Sequence, residues 1–534
     1  MMKDARQAID TALSAGDIAR AAGLAQSALA QGQRNAMLLN LAAWQHEERQ
    51  DFAGAHALLR EAQAFAPDDP LIRIAIGSVL RKEERFGEAV AVLDRAIASA
   101  PGNAAAWLER AYALDFDGLL IAAVESYRRA ADLDPTLAPP LAGLASVSAR
   151  QGEVETARGF AMRALAIDPD NVTALCALGR CDIEEEAYSQ ALTSLRAVTG
   201  RTSTPPADRV IALGLAGDAL DRLGKTDDAF ESYAAAKAIF AQQYASRASV
   251  SSDRQFVEGI RAAFDRIDPA AWTVSPEATS TGEASGHVFL LGYPRSGTTL
   301  VENILASAPE VEALEERPTL RAANLAFLSD ADGFTRLAGL DPAAADPFRT
   351  TYWERVKASG CDVRGKVFVD MDPLKSTKLP VIAKLFPDAR ILLMRRDPRD
   401  VVWSCFHTNF VYSPAALEFT TLETGAQHYD AVMRLTERCL ALLPLAVHVV
   451  NYRSLVTDFD ATTKALCEFA GVPWSPVLRD FGKTARRRGV TTASRPQVRR
   501  GLYDGSEQWR RYAARLELVL PILRPWIEKF GFPD

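Results

Sequence analysis

The sequence predicts an α-solenoid followed by an α/β domain of P-loop-like type with a central parallel sheet, and three observations carry that expectation. Prolines recur at a fixed interval through the N-terminal half. In the C-terminal half, short apolar runs alternate with longer helical stretches, the order expected of strands joined by crossover helices. One of those runs, Val288 to Leu291, feeds a loop bearing Gly292 and Gly297 and then opens a helix. Such a loop turns backbone N–H groups and a helix N-terminus toward an anion.

Pro67, Pro101, Pro135 and Pro169 are 34 residues apart, each closing an apolar helical segment. Small residues recur in two registers: Ala55, Ala89, Ala123, Ala157 and Ala191 in one, Ala43, Gly77, Ala111, Ala145 and Gly179 in the other. Ala21 extends the first register backwards, and Gly217 with Ala229, Tyr233 and Ala236 reads as a further unit displaced by the insertion Thr202 to Pro206. This period and pattern belong to tetratricopeptide repeats, about seven of them. Each helix pair needs a neighbour to bury its apolar face, so the pairs stack and present an extended surface suited to a protein partner or acceptor. A helical stretch, Asp253 to Ile267, and a small polar segment, Val274 to Gly286, follow. The expected boundaries are therefore a repeat array over 1–245, a helix and linker over 246–286, and a catalytic domain over 287–534.

At 534 residues the chain needs at least two cores, and its 48% hydrophobic and 24% charged residues are those of a globular protein. A net charge of -7 argues against nucleic-acid binding through a broadly basic surface. The N-terminus lacks the apolar core of a signal peptide and no apolar run is long enough for a membrane span, so the expected location is cytoplasmic. Six cysteines without a CxxC pair are expected to be reduced, and no metal site is expected.

The loop Gly292-Tyr-Pro-Arg-Ser-Gly-Thr-Thr299 lacks the lysine that reaches the β- and γ-phosphates in nucleoside triphosphatases. Thr298 and Thr299 stand there instead, and the cation is Arg295, inside the loop. That composition points to a nucleotide other than ATP or GTP, used without obligatory magnesium. The segment resembles the 5'-phosphosulfate-binding loop of sulfotransferases, particularly the tyrosylprotein sulfotransferase-like branch and bacterial tetratricopeptide-repeat sulfotransferases. The resemblance implies 3'-phosphoadenosine 5'-phosphosulfate as sulfuryl donor, held by Arg295, Ser296, Gly297, Thr298 and Thr299.

A second motif, Ala389 to Cys405, reads as a buried strand ending in Arg396 and a helix carrying Ser404. An arginine fork and a hydroxyl are both phosphate ligands, and the resemblance gives Arg396 and Ser404 the 3'-phosphate. Arg395 and Arg399 read as surface or salt-bridging residues. Sulfuryl transfer to a hydroxyl needs a base; the resemblance nominates Glu316, beside Glu315, with Arg295 stabilising charge on the leaving group. It also nominates Tyr452, in His448 to Leu455, and Ser494 and Gln497, in a tail that closes over the cofactor, with Arg499 or Arg510 adding charge. One departure stands out: Met371 occupies the place of a family lysine, and Lys375, or less directly Lys378, is the nearest replacement. The basic run Arg486 to Arg488 is either an anion guide or a solvated charge run. The expected function is transfer of a sulfuryl group to an acceptor hydroxyl, on a peptide tyrosine, a glycan or another acceptor, with the repeats recruiting acceptor or partner. A repeat scaffold with a weak or inactive catalytic domain and a P-loop kinase remain as alternatives.

Overall fold

The computed structural model describes residues 2–247, 252–272, 282–330, 332–488 and 501–533. The chain divides into two compact units, Met1–Val198 and Thr199–Asp534.

The first unit consists of antiparallel helix pairs, from Met2–Ser14 with Ile18–Ala30 to Val172–Glu184 with Tyr188–Thr199. The 34-residue period reappears in the backbone. Asn35, Asp69, Asn103 and Asn171 each cap the first helix of a pair by accepting an amide N–H. Gln50, Glu84, Gly118, Gly152 and Glu186 each take a left-handed conformation at the turn inside a pair. The small-residue register is steric. A Cβ on Gly77 would stand 2.6 Å from Leu93; outside the register, one on Gly143 would stand 2.4 Å from the Tyr127 ring of the preceding pair. Tyr127 and Leu93 are fully buried, so the paired helices close on these glycines and alanines.

The second unit begins with one more helix pair of the same kind, Pro206–Arg222 and Thr226–Gln243. Gly217 plays the part of Gly77 here, with Tyr233 2.4 Å from its missing Cβ. The next left-handed turn glycine, Gly224, comes 38 residues after Glu186 instead of 34, the shift produced by the Thr202–Pro206 insertion. This pair carries the repeat signature up to residue 245, yet it packs within the C-terminal unit. Its helices bury Phe240, Ala236 and Val210 against Ala416, and Lys237 donates to the Thr408 carbonyl at 2.6 Å. The helix expected over Asp253 to Ile267 spans Asp253–Asp265 and is opened by a Ser252/Gln255 capping box. Residues 273–281, the core of the expected linker, lie outside the described residues.

Five parallel strands form the sheet: β1 Gly286–Leu291, β2 Val311–Glu315, β3 Val367–Met371, β4 Arg390–Arg395 and β5 Ala446–Asn451, in the order β2-β3-β1-β4-β5. β1, β3 and β4 are almost wholly buried, which explains their near-continuous apolar sequences. Val288, Leu290 and Leu392 face one core with Val301, Ile304 and Leu466. Phe289 and His287, on the other face, meet Tyr352 and Phe386. Strand order reverses between β1 and β4, so a crevice opens at their carboxyl ends, the usual ligand position in such sheets.

Candidate active site

The glycine loop joins β1 to the Thr298–Leu305 helix at that crevice. Gly297 has φ +106°, and a Cβ there would stand 2.8 Å from the Tyr452 ring, so only glycine fits. Arg295 has φ +70°, a left-handed conformation costing an arginine on the order of 1 kcal/mol or more. Surrounding bonds hold it. Tyr293 shares a 2.6 Å hydrogen bond with Nδ1 of buried His428, whose Nε2 lies 2.8 Å from Asp253. Ser376 donates to the Gly292 carbonyl at 3.0 Å.

The second motif closes onto this loop from β4. Arg295 Nε donates to Ser404 Oγ at 2.9 Å, and Arg396 donates to the Arg295 carbonyl at 2.9 Å and the Gly505 carbonyl at 2.5 Å. The Arg396 guanidinium lies 4.8 Å from the centre of the Tyr452 ring. Tyr452 donates to the Tyr503 carbonyl at 3.0 Å and accepts the Gly505 N–H at 3.2 Å. Arg295, Gly297, Arg396, Ser404 and Tyr452 thus line one solvent-open cleft of about 570 Å³.

The cleft's electrostatics suit a polyanion. Burial, with Arg396 as a like-charged neighbour, pulls the Arg295 guanidinium down to about 10. Two arginines held together at a buried site are relieved by an anion. Among the described residues Ser296 Oγ and Arg396 Nε are buried without a hydrogen-bond partner, polar capacity that a protein normally satisfies. Arg295, Gly297 and the Arg396 fork, meeting in one cleft from adjacent strands with the Ser404 hydroxyl, fit a nucleotide with two phosphate-type groups.

Glu316 follows β2 directly. Its N–H donates to the Met371 carbonyl at 2.7 Å, extending the β2–β3 pairing by one residue, and its φ is +43°. Desolvation by the surrounding chain, then Asp372, Glu315 and Glu302, raise its carboxyl to about 8, with Arg295 opposing. The side chain is itself exposed, so water at the cleft edge screens part of this rise. Glu316 stands outside the lining of the 570 Å³ cleft, within electrostatic reach of Arg295.

Lys375 does not supply the missing lysine. It is 1% exposed and locked to Asp370 at 2.5 Å and the Arg317 carbonyl at 3.0 Å. Asp370 also accepts from Thr319 and Tyr352, both at 2.8 Å, so this ammonium completes a buried network. Met371, fully buried, packs into the core under the sheet. Among the described residues lining the cleft, the cations are Arg295 and Arg396. Arg395 bridges to Glu437 at 2.5 Å as expected. Arg399 also salt-bridges, at 2.8 Å to Asp397, but it is buried over Trp509 and not a surface residue. Arg488 is no solvated charge: it pairs at 2.8 Å with the fully buried Glu302 of the loop helix. Ser494, Gln497 and Arg499 lie outside the described residues. Arg510 engages Glu507 at 3.1 Å.

Sequence reasoning missed β2, whose Glu312 and Glu315 disguise an edge strand as a polar turn. It also missed the Tyr293–His428–Asp253 relay, since no local pattern links residues 135 and 175 positions apart. Gly501, Tyr503, Gly505 and Gln508 complete the cleft wall; the signal for them was the tail, with Arg499 or Arg510, that the resemblance lays over the cofactor.

Residues 287–476 match the family model described as Sulfotransferase family, and residues 74–138 and 177–244 match Tetratricopeptide repeat. An uncharacterized protein of Aquifex aeolicus (strain VF5) is 26% identical over 77% of this chain and 54% of its own length. Protein-tyrosine sulfotransferase A of Caenorhabditis elegans is 26% identical over 45% of this chain and 66% of its own, and protein-tyrosine sulfotransferase 2 of Gallus gallus is 26% identical over 36% and 52%. The chain thus spans between about half and two thirds of the length of these relatives. The repeat period agrees with the Tetratricopeptide repeat match, and the parallel sheet with its glycine loop falls within the residues that match the Sulfotransferase family.

Proposed function

We propose that this chain transfers a sulfuryl group from 3'-phosphoadenosine 5'-phosphosulfate to an acceptor hydroxyl. The observation that carries the reading is the meeting of Arg295, Arg396 and Ser404 at one cleft, two phosphate-binding motifs from adjacent strands joined by direct hydrogen bonds. The loop residues Arg295 to Thr299 would hold the 5' end of the donor, and Arg396 with Ser404 the 3'-phosphate. Tyr452 would pack beside them, and Ser494 and Gln497 remain assigned to the same ligand by resemblance. Bound there, the donor supplies an activated sulfuryl group whose sulfur–oxygen bond to the 5'-phosphate breaks as the acceptor oxygen bonds to sulfur. Glu316 takes the acceptor's proton, which a carboxylate with a raised pKa holds well once it has it. Arg295 offsets the negative charge that builds on the departing phosphate.

The relatives named above make a peptide tyrosine the acceptor to try first, with glycans and other hydroxyls after it. The repeat array supplies a surface for recruiting it. A cytoplasmic setting fits the six free cysteines, five of them buried; among the described residues no helix is long and apolar enough to cross a membrane.

Titration calorimetry with 3'-phosphoadenosine 5'-phosphate, without magnesium and with ATP as control, tests the reading. Binding that discriminates against ATP is expected. Arg396→Ala should weaken it by about 10- to 100-fold, the worth of a charged hydrogen-bonding fork. Equal binding of ATP, or none of the bisphosphate, would sink the proposal. The buried Met371 and the committed Lys375 favour a second reading, a binding scaffold with weak catalysis. Nucleotide binding without turnover on any hydroxyl acceptor would select it.

A further inference from the structure

The segment that walls the cleft opposite the glycine loop is short of anchors in the sheet itself. Gly501, Tyr503, Gly505 and Gln508 line the cleft, and the run from 501 to 512 contains only single 3-10 turns. Beyond the bonds of Arg396 and Tyr452 to Tyr503 and Gly505, two carboxylates hold it. The first is Asp400, fully buried on the Ser404 helix, accepting the N–H groups of Glu507 at 2.8 Å and Trp509 at 3.0 Å. The second is Asp221, on the last repeat-type helix pair, outside every motif that points to the nucleotide. Asp221 Oδ1 accepts from the Tyr512 hydroxyl at 2.5 Å, and its Oδ2 accepts from Arg511 at 3.0 Å.

The same contact reaches the Pro398–His407 helix that carries Ser404. Tyr512 stacks on Trp403 with centroids 3.7 Å apart, and Trp403 precedes Ser404. On its other side Trp403 meets Tyr233 edge-on at 6.0 Å and Phe230 at 6.4 Å, both from the repeat-type pair. The indole is therefore clasped between that pair and the cleft wall.

Taking the nucleotide reading above as its basis, we infer that Asp221 is a positioning residue for the cleft: through Tyr512 and Arg511 it holds the 501–512 wall closed over the nucleotide site. The repeat-type helix pair of the second unit then serves the donor pocket. If loss of the carboxylate leaves the wall closed about a tenth of the time, apparent affinity falls about tenfold, because affinity scales with the competent fraction. Turnover at saturation stays unchanged, since Asp221 touches neither the loop nor Glu316.

The test uses the full chain with Asp221→Asn, which keeps the shape, and Tyr512→Phe, which removes only the hydroxyl. Calorimetry with 3'-phosphoadenosine 5'-phosphate should give a Kd raised about tenfold for Asp221→Asn and less for Tyr512→Phe. Saturating kcat should match wild type. Hydrogen exchange without nucleotide should speed up in the 501–512 peptide and not in the loop helix. A lowered melting temperature with Kd and local exchange unchanged would show that Asp221 is merely structural and overturn the inference. Should wild type bind no bisphosphate, the functional proposal falls, yet exchange at 501–512 in Asp221→Asn still decides whether Asp221 holds the wall.

Discussion

A carboxyl that titrates near 8 is half protonated when an ordinary glutamate is fully charged, and this sets the pH response expected of Glu316. Only the deprotonated form accepts a proton, so kcat/KM should fall about tenfold per pH unit below the midpoint and level off above it. Solvent at the exposed side chain places that midpoint at 8 or somewhat lower. Glu316→Gln should flatten this limb and cost roughly 10²- to 10⁴-fold in turnover, with binding of 3'-phosphoadenosine 5'-phosphate intact. A pH limb that survives in the glutamine variant would assign the base elsewhere. Arg295, Arg396 and Ser404 were nominated by resemblance, and the structure brings the three to one cleft. Their bond to one another was not legible in the sequence, since Arg295 and Ser404 are 109 positions apart and only the β1–β4 pairing brings them together. Lys375 misled for the converse reason: its position suits the cleft, but Asp370 lies below it and claims the charge.

At the scale of elements, the repeats were readable because a steric rule enforces their period. Gly143→Ala tests the equally close packing of one pair on the pair before it. Its Cβ would enter the space of the Tyr127 ring, which is 2% exposed and has nowhere to move. Overpacking of about 1–3 kcal/mol should exceed the helix-propensity gain of about 1 kcal/mol from removing a glycine. A lowered unfolding midpoint for the N-terminal unit is expected by circular dichroism; a raised one would mean the helix crossing is loose. The central strands were equally legible from their apolar runs. β2 was hidden because an edge strand buries little, and Glu312 pairs with Lys366 at 2.8 Å where a buried strand would carry an apolar residue.

For the whole molecule, the division at Val198 and Thr199 matters more than the end of the repeat pattern near 245. Sequence periodicity reports what a helix pair looks like, not which core it joins. Calorimetric unfolding should therefore resolve two transitions. The bisphosphate nucleotide should raise only the one belonging to 199–534, by about 2.7 kcal/mol at 100 times its Kd. A single transition shifted as a whole would contradict the division. Finally, the replacement at position 371 leaves the crevice with an uncommon pair of neighbours. Met371 ends β3 beneath Glu316, and the Met394 methyl carbon at the end of β4 lies 3.2 Å from the space a Gly297 side chain would fill. The chain has seven methionines in 534 residues. Methyl-labelled methionine would give a sparse spectrum in which two resonances watch the Glu316 side and the Gly297 side of one crevice independently.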